Sequence, residues 1–381
     1  MSLNEARRRA ALLLCVGALL ALTPSLALTP SSASAASAGV QAHVLWSEFS
    51  TSPLDISRTG MHRQLNLAKL AGARYVRVDA GWATLEPERD GVRNGPYVTK
   101  MDRLVEAAEE RDLRLIITVW STPCWASSAP SSARQGCKGA WWERGVQTYP
   151  PRDPAEYADA IRFLVDRYRG RVAAWEVWNE PDLQEFFRSD RPAAEYAALL
   201  RHAYRAAKQA HPGATVLGGS LSGADAAFTR RLYAQGVKGH FDAWSIHPYS
   251  GDRSPLHPGY GSHVENSFLR GVPAVREVLV QNGNPKPLWL TEFGWSSCTV
   301  RNDPEGWRNC VDESTQAEYL RLAYRQMEEW PYVDVGIWFN LQNWGPDPAD
   351  RVSNYGLLDY QGNPKPAYAS FVAAAGGVAG R

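Results

Sequence analysis

Short apolar runs alternate with longer segments of helical periodicity from about residue 41 to the C-terminus. Eight runs have the length and composition of β-strands, at 43–46, 75–79, 113–120, 172–178, 215–218, 241–246, 288–291 and 335–340. Eight segments between and after them predict helices, near 58–71, 97–111, 154–168, 192–210, 224–235, 264–281, 314–330 and 364–375. No linker or low-complexity segment interrupts this alternation, so it predicts one domain.

The segment 154–168 illustrates the helical signal. Asp153 is a residue type that caps helices, Pro154 suits the first helical position, and Glu156 places an acid in the first turn. Apolar residues then recur at near-helical spacing along the segment.

Eight strand-then-helix units predict the α/β class and a single (β/α)8 TIM barrel. An open doubly wound sheet fits less well, because it would usually show fewer units or a glycine-rich phosphate turn, and no G-x-G-x-x-G or Walker-type loop is present. The active site of such a barrel lies at the carboxyl ends of its strands. Polar residues that end predicted strands are therefore the candidate functional residues.

The fourth predicted strand is apolar through residue 178 except for Glu176, and it is followed by Asn179, Glu180 and Pro181. Proline cannot donate a hydrogen bond to a strand ladder, and it disfavours a helical conformation in the residue before it. The pattern therefore predicts that Asn179 and Glu180 leave the sheet and enter a cleft or a turn.

The seventh predicted strand ends in a second acid, Glu292, with Gly294 two residues later. Two glutamates at one rim of a barrel suit glycoside hydrolysis, in which one carboxyl protonates the leaving oxygen and the other attacks the sugar or activates water. The alternative is that each glutamate caps its strand or pairs with an arginine. That alternative is weaker for two glutamates at matching strand ends than for either one alone.

The strings WEVWNEPD (residues 175–182) and WLTEFGW (residues 289–295) resemble the acid/base and nucleophile segments of the clan A glycoside hydrolases. His247-Pro248-Tyr249 after strand six, Arg77 on strand two and Trp338 on strand eight agree with this resemblance. Within the clan, the segments 122–126, 241–249 and 287–295 look most similar to family 39 and the bacterial exopolysaccharide endoglycosidases grouped with it. Family 5 cellulases share much of the same pattern.

The resemblance implies hydrolysis with retention of anomeric configuration. Glu292 would be the nucleophile, and Glu180 would be the acid that then acts as base. Asn179 would hydrogen-bond the sugar 2-hydroxyl. Arg77 and Tyr249 are the expected donors that keep Glu292 ionised.

Further residues receive supporting roles. We expect His247 to orient a neighbour, Trp338 to form the stacking floor for the sugar, and Trp295 to line the substrate site. The alternatives are that His247 is only a hydrogen-bonded rim residue and that Trp338 packs in the core. Glu176 is expected to be paired below the site with an arginine of strand two. Nine other polar or aromatic residues near strand ends are weaker candidates for subsites: Trp46, Glu48, Asp79, Trp82, Trp125, Asn340, Gln342, Asn343 and Trp344.

The N-terminal segment has the features of an export signal. Three arginines at 7–9 precede an apolar run over 10–28, and a tail of small residues ends at Ala38. We predict a cleaved secretion signal over 1–38, a barrel domain over 39–381 and a secreted, extracellular protein. The alternative is a membrane anchor, but Thr23, Pro24 and Ser25 interrupt the run, and a span needs about 20 predominantly apolar residues.

Charge and cysteine content narrow the choice of partners. Without residues 1–38 the chain loses three arginines and one glutamate, which leaves 38 basic and 39 acidic side chains. This balance does not favour a nucleic-acid or anionic-membrane partner. Four cysteines remain after residues 1–38, which include Cys15, are removed. Of the three pairings open to these four, we favour Cys124 with Cys137 and Cys298 with Cys310, each inside one predicted loop. A zinc site is the alternative, but no Cys-x-x-Cys is present.

The expected partner is therefore a poly- or oligosaccharide, with no metal and no other cofactor. Fifteen tryptophans also suit flat faces on which sugar rings stack. We expect a monomer. The alternative from another class is a catalytically inactive carbohydrate-binding barrel, which has no need of both glutamates. A phosphate-handling barrel is disfavoured, because no glycine-rich loop follows the late strands.

Overall fold

The computed structural model describes residues 36–45, 60–259 and 267–376. Eight parallel strands in these ranges close into a barrel in which each strand pairs with its neighbours in the sequence and β1 pairs with β8. The strands are β1 Ser37–Gln41, β2 Tyr75–Gly81, β3 Arg114–Trp120, β4 Ala174–Val177, β5 Val216–Leu221, β6 Ala243–Ile246, β7 Leu288–Phe293 and β8 Val333–Trp338. The predicted (β/α)8 barrel is confirmed.

Eight helices of nine residues or more alternate with the strands in the described ranges. They are α1 Met61–Leu70, α2 Gly95–Glu109, α3 Pro154–Arg167, α4 Pro192–Ala210, α5 Ala226–Ala234, α6 Phe268–Gln281, α7 Glu313–Glu328 and α8 Pro366–Ala374. Asp153 caps α3 by accepting a hydrogen bond from the amide of Ala155, as its sequence indicated. None of the helices in these ranges has the length and apolar character needed to cross a membrane.

The position of the first strand was predicted wrongly. The expected strand at 43–46 lies after β1, and residue 46 is outside the described ranges. β1 is instead the segment Ser37–Gln41, and at Gly39 it has no room for a side chain, because Tyr75 and Ile337 fill the space beside it. A Cβ on Gly39 would lie 2.7 Å from the carbonyl oxygen of Tyr75 and would also overlap Ile337. The domain boundary predicted after Ala38 falls within β1.

The barrel interior changes from apolar to polar along the strands. Its lower part is a separate cluster of buried apolar side chains, formed by Tyr75, Ile116, Ala174, Leu217, Ala243, Trp289, Val335 and Ile337. Alternate residues of a barrel strand face the same side. Two residues further along, Arg77, Thr118 and Glu176 are fully buried, and Arg77 and Thr118 both donate hydrogen bonds to Glu176. The apolar cluster therefore ends just below a layer of charged and polar side chains.

Two disulfides pin the loops at the carboxyl ends of the strands. Cys124 bonds to Cys137 in the loop after β3, and Cys298 bonds to Cys310 in the loop after β7. These are the pairings that the sequence favoured. Each closes a short loop, so each restricts the segment that follows one strand.

Candidate active site

The chain leaves β4 through an unusual backbone path. Trp178 and Glu180 have φ values of 67° and 48°, which are uncommon for residues other than glycine. The predicted strand 172–178 is therefore too long, because Trp178 turns outward and its ring packs against Tyr157 and Phe187. This turn directs Asn179 and Glu180 into the mouth of the barrel.

Neighbouring strands hold this path in place. The amide of Trp178 donates to the carbonyl of Val119 at 3.0 Å, and the amide of Glu180 donates to the carbonyl of Ser220 at 2.8 Å. Ser220 itself lies where the register of β5 against β6 shifts, with φ of 49°. Such strain persists where the surrounding structure fixes it, often at active sites.

A bulge in β7 positions the second glutamate. Leu290 pairs with Gly336 and Phe293 pairs with Trp338, so one strand uses three residues where its partner uses two. Bulges of this kind change the direction of a side chain at the rim of a barrel. Glu292 lies inside the bulge, one residue beyond the predicted end of the strand. It is buried, with 7 % of its surface exposed.

The structure brings the two predicted glutamates together. One carboxylate oxygen of each lies within 4.8 Å of the other and of a ring nitrogen of His247. Nδ1 of His247 is 2.8 Å from Oε1 of Glu180 and 3.7 Å from Oε2 of Glu292. His247 is fully buried. It contacts the two carboxylates but has no exposed surface that a substrate could touch.

Glu292 is held as a carboxylate. Arg77 Nη1 donates to its Oε1 at 2.6 Å, and the Tyr249 hydroxyl donates to its Oε2 at 2.7 Å. Burial alone would raise the pKa of Glu292, but the charges of His247 and Arg77 and the hydrogen bond from Tyr249 lower it below its usual value. Glu292 is therefore ionised at neutral pH.

Glu180 has the opposite tendency. Burial raises its pKa to about 7, helped by the negative charges of Glu292 and Asp182 and opposed by the hydrogen bond and charge of His247. A carboxyl group with such a pKa retains a proton near neutral pH. Glu180 can thus donate a proton while Glu292 is an anion. Acid-assisted nucleophilic displacement needs one group of each kind.

Arg77 is the fully buried centre of the network below the site. Its guanidinium donates to four side-chain oxygens: Glu176 Oε2 at 2.7 Å, Glu292 Oε1 at 2.6 Å, Asn179 Oδ1 at 2.9 Å and Gln41 Oε1 at 3.0 Å. Thr118 also donates to Oε2 of Glu176, at 2.6 Å. The expected pairing of Glu176 with an arginine of strand two is confirmed.

Arg77→Met is expected to lower the free energy of unfolding by about 3–5 kcal/mol, because it leaves Glu176 and Glu292 buried without their counter-charge. Urea denaturation measures the loss. Arg74→Met, an exposed arginine on the approach to the same strand, is the matched control and should change little. Glu176→Gln added to Arg77→Met should recover part of the loss. A loss below about 1 kcal/mol for Arg77→Met would contradict this account.

Asn179 is oriented by the same network. Its Oδ1 accepts the hydrogen bond from Arg77, which directs the amide so that Nδ2 is the group left to donate. Asn179 retains a small exposed fraction of 7 % beside the two glutamates. It is therefore placed to donate to a ligand in the barrel mouth.

The cluster of Glu180, His247 and Glu292 also has the spacing of a metal site. Both oxygens of Glu292 already accept hydrogen bonds, and the positive charge of Arg77 lies 2.6 Å from one of them. A cation would be repelled by that charge. The contacts fit a proton-transfer site better than a metal centre.

Two predicted substrate-contacting tryptophans do not fit that role. Trp338 is fully buried, its indole donates to the carbonyl of Tyr355 at 3.1 Å, and Phe293 and Trp295 pack against it. Trp295 is 1 % exposed and donates to the carbonyl of Arg253. Neither ring can form a face for a sugar, because both lie in the layer between barrel and helices.

Phe339, the residue after Trp338, lies beside Tyr249. Its partly exposed ring lies 6.2 Å from that of Tyr249 and 5.4 Å from that of Trp344. Counting by two from the inward-facing Val335 and Ile337 leads to Phe339. The alternation of the strand, rather than the residue type, was the signal that could have found it.

The weaker subsite candidates divide into four groups. Trp46 and Glu48 lie outside the described ranges. Trp82 is fully buried and Asn340 nearly so. Asp79 remains 5 % exposed at the barrel mouth, where its carboxylate accepts from Gln41 Nε2 at 2.6 Å. Four partly or largely buried residues remain near the rim: Trp125, Gln342, Asn343 and Trp344.

Known proteins are similar to the chain in sequence and in fold. A β-xylosidase of Caldicellulosiruptor saccharolyticus is 27 % identical over 262 residues, which cover 64 % of this chain and 51 % of that protein. A family 39 glycoside hydrolase from Bacteroides cellulosilyticus superposes with a TM-score of 0.68 at 23 % identity, covering 90 % of this chain and 64 % of the other. A monomeric β-xylosidase from Caulobacter crescentus gives a TM-score of 0.60 at 19 % identity, covering 88 % and 67 %.

The chain thus spans about half of the length of the curated β-xylosidase. The likeness to the solved structures shows the shared barrel fold. The family model for "Glycosyl hydrolases family 39" matches residues 33–371, nearly the whole chain. The chain therefore belongs to glycosyl hydrolase family 39.

Proposed function

We propose that the protein is a retaining β-glycoside hydrolase that cleaves O-glycosidic bonds of an extracellular poly- or oligosaccharide by double displacement. Glu292 is the nucleophile and Glu180 the acid and base. The observation that carries the proposal is the pair of carboxyl groups within 4.8 Å of each other, one with a raised and one with a lowered pKa.

The first displacement uses both groups at once. An oxygen of Glu292 bonds to the anomeric carbon as the bond from that carbon to the leaving oxygen breaks, and Glu180 gives its proton to that oxygen. When Nδ1 of His247 carries a hydrogen, it donates to Oε1 of Glu180, so the transferred proton comes from Oε2. The products are a glycosyl ester on Glu292 and the protonated leaving group.

The second displacement reverses the roles. Glu180, now a carboxylate, takes a proton from water as the water oxygen bonds to the anomeric carbon and the ester bond to Glu292 breaks. Two inversions give net retention. Carboxyl groups of retaining enzymes lie about 5–5.5 Å apart, against about 6.5–9.5 Å in inverting enzymes, and the separation in this site supports the former.

Asn179 and Tyr249 complete the proposed site. The Nδ2 group of Asn179 is placed to donate to the sugar 2-hydroxyl, a bond that strengthens as positive charge develops at the anomeric carbon. Tyr249 steadies the nucleophile. Phe339 replaces Trp338 as the proposed apolar surface for the sugar, since its partly exposed ring lies beside Tyr249.

His247→Asn is expected to shift the pH profile of kcat/KM to higher pH. His247 lowers the pKa of Glu180, so its loss raises that pKa further and Glu180 keeps its proton to a higher pH. His247 also lowers the pKa of Glu292, so the nucleophile ionises at a higher pH as well. Both limbs should move upward, with maximal kcat/KM reduced by about tenfold. Unshifted limbs would mean that His247 acts through packing alone.

We propose export and a monomeric state for the same protein. The two disulfides suit an oxidising compartment outside the cytoplasm. The similarity to proteins described as β-xylosidases makes β-xylosides the first substrates to test. β-Glucosides, β-mannosides and β-galactosides follow, because loops of different shape on one barrel select different sugars.

A substrate panel tests the proposal. Purified protein is incubated with aryl β-glycosides of the four sugars and with the corresponding polysaccharides, and the products are sized. Proton NMR during the first minutes should show the β-anomer of the released sugar before it mutarotates. Initial release of the α-anomer would rule out retention. Binding without hydrolysis of any member would favour an inactive carbohydrate-binding barrel.

A further inference from the structure

Two aromatic rings pack edge to face at the carboxyl ends of β3 and β4, outside the residues assigned above. Trp120 ends β3 in the same alternation as Ile116 and Thr118, which both face the barrel interior. Its ring lies 5.7 Å from that of Phe186, with an angle of 69° between the planes. Trp120 is 7 % exposed, about as much as the two glutamates, and Phe186 is partly exposed.

The backbone around Glu180 fixes this pair. The indole of Trp178 donates to the carbonyl of Phe186 at 3.0 Å, and the amide of Phe186 donates to the carbonyl of Leu183. The Trp178 amide is in turn bonded to Val119, the residue before Trp120. Both rings are therefore tied to the segment that carries Glu180.

The direction in which the leaving group departs indicates which part of the substrate lies beside these rings. β3 borders β4, which carries Glu180, whereas Glu292 comes from β7 across the barrel. Glu292 attacks the anomeric carbon from its own side, so the leaving oxygen departs away from β7 and beside the proton on Glu180. The group attached to that oxygen must then lie over the β3 and β4 side of the mouth.

We propose that Trp120 and Phe186 form the wall of the site for the leaving-group sugar. The proposal rests on the proposed glycosidase function and deepens it. The C–H face of a sugar ring is apolar and packs on an aromatic ring, whereas a small alkyl leaving group would not reach both rings. The substrate class is accordingly β-linked di- and oligosaccharides.

The test compares two substrates of the sugar that the wild type hydrolyses best among xylose, glucose, mannose and galactose. One is the β-linked disaccharide, whose leaving sugar reaches the wall. The other is the β-glycosyl fluoride, whose leaving group is too small to do so. For both, kcat/KM reports formation of the glycosyl-enzyme, so they differ only in the leaving group.

Trp120→Ala and Phe186→Leu should each lower kcat/KM for the disaccharide by about 10- to 100-fold and change kcat/KM for the fluoride by less than about threefold. Phe186→Tyr, which keeps the ring, is the matched control and should retain most disaccharide hydrolysis. If Trp120→Ala does not fold, the two Phe186 variants give the same comparison.

Equal losses of kcat/KM on both substrates would mean that the rings only support the fold. That result would contradict the proposed wall but not the proposed function. Unchanged disaccharide hydrolysis would also contradict the proposed wall. If the wild type hydrolyses neither substrate, the proposed function itself fails and the wall fails with it.

Discussion

Glu292→Gln is expected to reduce kcat on aryl β-xylosides, or on the aryl glycosides that the wild type prefers, by at least about ten-thousandfold. The amide cannot form the glycosyl ester, and it also removes the charge that Arg77 and Tyr249 stabilise. Because the substitution keeps the size of the side chain, the barrel should fold. Initial rates with a chromogenic leaving group measure the loss.

Glu185→Gln is the matched control, since it makes the same chemical change at an exposed position of the loop after β4. It should keep wild-type rates. A 2-deoxy-2-fluoro glycoside should in addition label the wild type, because fluorine slows the second displacement and the ester accumulates. Peptide mass spectrometry should locate the added mass on Glu292.

Labelling of a different carboxylate would reassign the nucleophile while keeping the reaction class. Substantial activity in Glu292→Gln would instead contradict double displacement through this residue. A general loss of folding is checked by comparing the thermal unfolding of the variant with that of the wild type.

The positions of the two glutamates could be predicted because local sequence encodes them. Each follows an apolar strand and precedes a residue that ends regular pairing, Pro181 in one case and Gly294 in the other. The eightfold repetition of strand and helix then placed both at one rim. Periodicity and strand-breaking residues are short-range signals, and they were sufficient for the architecture and for the two acids.

Features set by distant neighbours could not be predicted in the same way. β1 has a glycine at position 39 because Tyr75 and Ile337 occupy the space that a side chain would need. Trp178 faces outward because Val119 and Phe186 bind its amide and indole. The pattern of apolar residues in the sequence does not reveal either contact. The prediction based on it therefore misplaced the first strand and made the fourth strand too long.

The burial of Trp338, which the sequence assigned to the floor of the sugar site, has a related reason. Residue type favoured the tryptophan, but the pleat of β8 places Val335, Ile337 and then Phe339 toward the interior. The opposite pKa shifts of Glu180 and Glu292 also depend on the positions of His247, Arg77 and Tyr249, which only the folded chain defines.

Glu180→Ala should separate the two displacements. With a 2,4-dinitrophenyl leaving group, which needs no proton, the glycosyl-enzyme should still form, but no base then activates water. Turnover should fall by about 100- to 10,000-fold. Azide, an anion that attacks without a base, should restore turnover in the cavity left by the carboxyl group and yield a β-glycosyl azide. Disaccharide hydrolysis should be lost without rescue, because its leaving group needs the proton.

Glu292→Ala gives the opposite stereochemical result if the assignment is right. There azide replaces the nucleophile itself, attacks from the β7 side of the barrel and yields an α-glycosyl azide in a single inversion. The anomer of the azide product, measured by proton NMR, therefore distinguishes the two glutamates. An α-azide from Glu180→Ala together with a β-azide from Glu292→Ala would exchange their roles, in conflict with the raised pKa of Glu180 and the lowered pKa of Glu292.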